Sequence, residues 1–156
     1  MMDSSILLLI IRILHIIGYT LGFSISFSLM LFYILIRKNS NLLDSMKLIR
    51  ILIVFQITSN SISAFSGIFR LNYSSILQEP SKRIIFIPKM VIFSLSVITI
   101  FFLLFWFSKL ISLLAFQPER KNSLTIKQDK ITIFLLIINM LLISLTLSLG
   151  GSLVIF

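Results

Sequence analysis

The residues of this chain able to do chemistry are few, and they stand close to long apolar runs. His15 is the only imidazole, and Tyr19 follows it by one helical turn. Lys89 and Met90 open a third apolar stretch. A neutral imidazole is the commonest metal ligand, and a thioether is a soft donor for copper or haem iron. His15 with Met90 is therefore a candidate metal set. Lys89 is a candidate partner for a carboxylate such as a porphyrin propionate, and Tyr19 a candidate proton donor. Other chemistries are missing. There is no cysteine, which removes disulfides, thiolate metal sites, iron–sulfur clusters and cysteine nucleophiles. The five carboxylates, Asp3, Asp44, Glu79, Glu119 and Asp129, fall in loops or at helix ends. Proton-coupled transporters place an ionisable acid inside the membrane, and this pattern offers none there. No Ser/His/Asp set, Walker loop or zinc motif occurs, so no reaction is assigned.

Those residues must be positioned by the apolar runs around them. The chain has 156 residues, 58% of them hydrophobic, and a mean hydropathy of +1.10. Its composition is that of a bundle of membrane helices, not of a soluble domain. Four runs each reach the roughly 20 residues needed to cross about 30 Å of hydrocarbon. They predict helices at about 13–36, 48–69, 88–110 and 131–155, all in one membrane domain. Continuous rather than alternating apolarity favours helices over a barrel. Short loops predict an all-α, four-helix up-and-down antiparallel transmembrane bundle. The first run is uncharged over 24 residues and has no basic segment before it, so a retained helix is expected rather than a signal peptide.

Periodicity shows which faces turn inward. At about 100° per residue, His15, Gly18, Tyr19, Gly22, Ser26 and Tyr33 share one side of the first helix. Gln56, Ser59, Asn60, Ser63, Ser66, Gly67 and Arg70 form a polar stripe on the second, expected to meet that side. The fourth helix carries Thr132, Asn139, Thr146 and Gly150 on one face. Ser144, Ser148 and Ser152 on the opposite face suggest a second contact, to another copy or to a larger membrane complex. Trp106 beside Lys109 reads as an interfacial belt residue.

The net charge of +9 is no sign of nucleic acid, because the basic residues gather at the ends of the runs. The lipid bilayer is the partner they imply. Arg37, Lys38, Lys47, Arg50, Lys109, Arg120, Lys121, Lys127 and Lys130 lie on one side, nine in all. Arg12, Arg70, Lys82, Arg83 and Lys89, five residues, lie on the other. The excess places the first and third loops in the cytoplasm and both termini outside. Arg12, His15, Tyr19, Gly67, Arg70, Lys89, Met90, Gly150 and Gly151 are then expected to converge as a polar pocket at the outer end.

The order of features also resembles a known group. It comprises Leu14-His15-Ile16-Ile17-Gly18 early in helix one, Arg50 opening helix two, Gly67 near its end, and Lys89 starting helix three. Over roughly Ile10 to Leu110 this is similar to the small helical membrane proteins around the copper-resistance CopD domain and the HemJ-type protoporphyrinogen oxidases. The resemblance implies haem or copper as cofactor, with His15 and Lys89 at the HemJ-type functional positions. The chain departs from that pattern in several places. Thr20-Leu21-Gly22-Phe23 replaces the expected Trp-x-x-Gly-Leu. The later histidines of helices one and three are absent, and Asn139 stands where an Asn-Glu pair is expected. Three functional expectations follow: a haem- or copper-associated membrane protein, a non-catalytic accessory subunit or assembly factor, and a small-solute transporter or channel.

Overall fold

The computed structural model describes residues 4–37, 41–72, 80–116 and 124–155. These residues fold into four helices: α1 (Ser4–Ile36), α2 (Leu42–Asn72), α3 (Pro80–Phe116) and α4 (Ile126–Ile155). All four are long and apolar enough to cross a membrane, over stretches of 24 to 34 residues with mean hydropathy from 1.5 to 2.6.

Each helix is longer than the apolar runs predict, for local reasons. α1 starts at Ser4 because Ile6 to Ile11 is unbroken by any helix-breaking residue. α2 starts at Leu42, within the polar stretch expected to be a loop. Leu42, Met46, Ile49 and Ile53 recur at spacings of four and three and are fully buried, so the core holds this first turn down. Asp44 sits in that turn, where the helix dipole favours an anion, and accepts from Lys47 Nζ at 2.8 Å. α3 starts on Pro80, which suits a first helical position because its missing N–H has no intrahelical partner there. Pro88 lies inside the same helix, where it removes one backbone hydrogen bond. α4 is opened by a reciprocal capping box: Thr125 N donates to Gln128 Oε1 at 2.9 Å, and Gln128 N donates to Thr125 Oγ1 at 3.3 Å.

Each helix packs against two neighbours, in the ring α1–α2–α3–α4 and back to α1. The α1–α2 seam is the tightest. A Cβ on Gly18 would sit 2.9 Å from Ser63 N and 3.1 Å from Ser59 O, and one on Gly22 would sit 2.8 Å from Asn60 Oδ1. Glycine lets the two backbones approach this closely. Ser59 Oγ uses the approach to donate to the Gly18 carbonyl at 2.7 Å. Contacts along the seam move down α2 as they move up α1, from His15–Ser63 through Gly18–Ser59. Between α1 and α4 they run likewise, from Ser26–Asn139 to Tyr33–Asp129.

The interior divides into two halves along the helices. One half is apolar, built from Leu29, Ile53, Ile100, Leu103, Phe107 and Leu136 among others, all at most 1% exposed. At its far end Tyr33 Oη donates to Asp129 Oδ1 at 2.8 Å, and Arg37 pairs with Asp129 Oδ2 at 3.1 Å. The other half is polar, with Ser26, Gln56, Ser59, Asn60, Ser63, Ser66, Lys89, Ser96 and Asn139 buried. The outward surface is mostly Ile, Leu and Phe. Hydroxyls on that surface bond to their own helix: Thr58 to the Val54 carbonyl, Ser61 to Ile57, Ser94 to Met90 and Thr20 to Ile16. Ser144 and Ser148 do the same, to Met140 and Ser144, so the serine face of α4 needs no second contact to satisfy it. Ser152 lies outside the residues whose surroundings are described.

Candidate functional site

Three of the four expected site residues meet in the polar half. His15 is half-buried, and its ring lies against Gly67 of α2, where a Cβ would fall 3.1 Å from His15 Cε1. Its Nδ1 is 2.9 Å from the Ser63 carbonyl and 3.2 Å from Ser66 Oγ. A carbonyl only accepts, so Nδ1 carries the proton, and in the neutral ring the lone pair is on Nε2. This is the backbone anchoring that holds ligating histidines in one tautomer. Ser66 Oγ in turn donates to the Ile62 carbonyl at 2.7 Å and the Ser63 carbonyl at 3.0 Å, so α2 fixes both groups.

Tyr19 lies between the other two. Its ring is edge-on to His15, with centroids 4.8 Å apart and planes at 88°. It meets Phe93 of α3 at 6.0 Å and 68°. Lys89 Nζ stands over the tyrosine face, 5.0 Å from its centroid. Only 9% of Lys89 is exposed, and in so dry a setting a cation–π contact contributes about 2 kcal/mol. The site thus combines an imidazole, a phenol and an ammonium, supplied by α1 and α3 and braced by α2.

The site is deeper than its sequence position suggests. Because α1 begins at Ser4, His15 stands about 16 Å into that helix, and Lys89 about 13 Å into α3. Met90 is elsewhere: it follows Lys89 around the helix and is 40% exposed on the outward side of α3. It therefore lies apart from the imidazole in the interior. Among the described residues no group of three or more His, Cys, Asp or Glu could hold a metal ion. A single imidazole can serve haem as an axial ligand, whereas copper would need donors beyond those assembled here. Arg12 is exposed, and Arg70, Gly150 and Gly151 lie outside the residues whose surroundings are described.

Below this site lies a group that sequence reasoning placed only in part. Asn139 Nδ2 donates to Ser26 Oγ at 2.9 Å and to Gln56 Oε1 at 3.2 Å, joining α4, α1 and α2. Each residue stood out on its own helix; their meeting depended on register. The Tyr33–Asp129–Arg37 cluster is not legible in the apolar runs, which leave Asp129 in the third loop. Its signal was the Thr125-x-x-Gln128 box, which puts Asp129 in the first turn of a helix. Trp106 Nε1 donates to Thr132 Oγ1 at 2.9 Å, so its polar atom points at α4 rather than outward.

Comparison with known proteins returned no matching family model, no matching curated protein and no matching solved structure. The functional reading therefore rests on these residues.

Proposed function

We propose that this chain is a multi-pass integral membrane protein, an up-and-down four-helix bundle that binds a small ligand at His15, Tyr19 and Lys89. The observation that carries the reading is the meeting of two side chains of α1 with one of α3 in the polar half of the interior. The membrane reading is supported by four spans of sufficient length and by an outer surface of Ile, Leu and Phe. Water-exposed monomers rarely carry apolar patches beyond a few hundred Å². The falling register between α1 and α2, and between α1 and α4, supports the up-and-down path. The basic-residue bias favours cytoplasmic first and third loops, with the termini on the far side.

In its cofactor-bearing form, His15 Nε2 ligates haem iron and Lys89 pairs with an acidic side group of the cofactor. A conducting role is less well supported, because the apolar half interrupts any polar path. The test is pigment and metal analysis of protein purified from alkali-washed membranes, beside His15→Ala. A Soret band in the wild type that His15→Ala shifts or removes is the expected result. Wild type without haem or copper would end the cofactor form. Release of the protein by alkali would end the membrane reading.

A further inference from the structure

A second feature lies one turn from this site, between α2 and α3. It is a groove of about 110 Å³, lined by Ile57, Asn60, Ala64, Phe93, Val97 and Phe101 among others. Phe101 is exposed on the outward surface, so the groove opens sideways. Its lining is apolar but for two groups. Ser61 is satisfied by its own helix, donating to Ile57 O at 2.9 Å. Asn60 is only 7% exposed, and its Nδ2 has no hydrogen-bond partner among the described residues. The other edge of that amide lies on the α1 side, with Oδ1 2.8 Å from where a Cβ on Gly22 would stand. A buried amide N–H₂ in such surroundings calls for an acceptor oxygen.

Depth and size narrow the occupant. Asn60 lies about 7 Å from the middle of the Leu42–Phe69 span, inside a hydrocarbon layer of about 30 Å. The ester carbonyls of ordinary lipids sit in the interfacial zone outside that layer. A molecule that carries a carbonyl into hydrocarbon would supply that acceptor at this depth. A cavity of about 150 Å³ lined by Leu, Ile and Phe takes up benzene, so this groove is on the scale of one six-membered ring. Phe93 and Phe101 offer aromatic contacts to such a ring.

We propose that the α2–α3 groove binds the head ring of a membrane-dissolved quinone. One carbonyl oxygen accepts from Asn60 Nδ2, and the hydrocarbon tail leaves sideways into lipid. Phe93 also touches Tyr19, so the bound ring lies one aromatic contact from the His15 site. The inference needs the chain to be in a membrane but does not need the ligand or cofactor proposed for that site.

The test uses the full chain in lipid nanodiscs and radiolabelled decylbenzoquinone. Decylbenzene, which has a six-membered carbon ring and the same chain length without carbonyls, is the competitor. Saturable binding above that of empty discs is expected, weakened about tenfold in Asn60→Leu, the effect of one lost hydrogen bond. Ala64→Leu fills the groove, leaves Asn60 in place and is expected to abolish binding. Decylbenzene is expected to compete at least about tenfold more weakly. Retention of affinity in both variants, or equal competition by decylbenzene as for a plain acyl-chain groove, overturns the proposal. So does wild-type binding no greater than that of empty discs. If Asn60→Leu does not fold, Ala64→Leu and the competitor decide. Failure of the membrane reading would show separately, as a chain that does not enter the discs.

Discussion

Gly18 and Gly67 both lie where α1 and α2 approach, yet the space each leaves is used differently. A side chain on Gly18 would meet the backbone of α2 at Ser63 and Ser59, which cannot yield without parting the helices. One on Gly67 would meet the His15 ring, a side chain that can shift where backbone cannot. Gly18→Ala is therefore expected to destabilise the bundle by about 1–3 kcal/mol, the usual cost of overpacking. Gly67→Ala is expected to change stability much less while moving the imidazole. Unfolding in mixed micelles measures the first effect, and the imidazole resonances of His15 report the second. Equal destabilisation by both would show that the seam is looser than drawn. At this scale helical periodicity made much of the site legible. His15 and Tyr19 are inward at the positions where a rotation of about 100° per residue puts them, while Lys89 was placed only by its order along the chain. Met90 shows what adjacency in sequence cannot give: the same rotation that turns Lys89 inward carries its neighbour to the outward side.

At the level of elements, helix ends were harder to read than helix middles, because caps and core contacts set the ends while apolar runs mark only the middles. Leu42 and Met46 belong to the core but stand among polar residues, so the predicted loop before α2 is partly helix. Asp129 is helical because Thr125 and Gln128 cap α4 in front of it. That cap also presents Asp129 to Tyr33 and Arg37, and so ties α4 to the end of α1. Thr125→Ala should cost about 1 kcal/mol through the lost cap. It should also loosen the Tyr33–Asp129 contact at a distance of one turn. Amide hydrogen exchange across Ile126 to Thr132 checks this: faster exchange confined to that turn is expected, and unchanged protection would mean the box contributes nothing. The pairing of α1 with α2 was legible for the opposite reason. Small residues on one helix and hydroxyls and amides on the other have few alternatives to each other in an apolar setting.

At the scale of the whole molecule the division of the interior decides what the bundle can do. Polar side chains fill the half containing His15, and Leu29, Ile53, Ile100, Leu103 and Leu136 fill the next stretch without a hydroxyl or amide among them. An ion or hydrated solute crossing that stretch would lose its hydration with nothing to replace it, and apolar constrictions of this kind exclude water. The division was only half visible beforehand. Each helix shows its own inward polar or apolar residues, but alignment of the apolar segments of all four at one level depends on offsets that the loops set. On the proposed reading, the bundle has a site on one side and a seal on the other. Proteoliposomes of the wild type should therefore stay tight to protons, potassium and glycerol, with leak no greater than that of empty vesicles. Ile53→Asn together with Leu103→Asn would place two amides in the seal and should raise that leak, provided the variant still inserts and keeps its helicity. Solute flux through the wild type that His15→Ala abolished would reverse the reading: the apolar layer would then have to open, and the polar half would be the entrance to a path rather than the floor of a site.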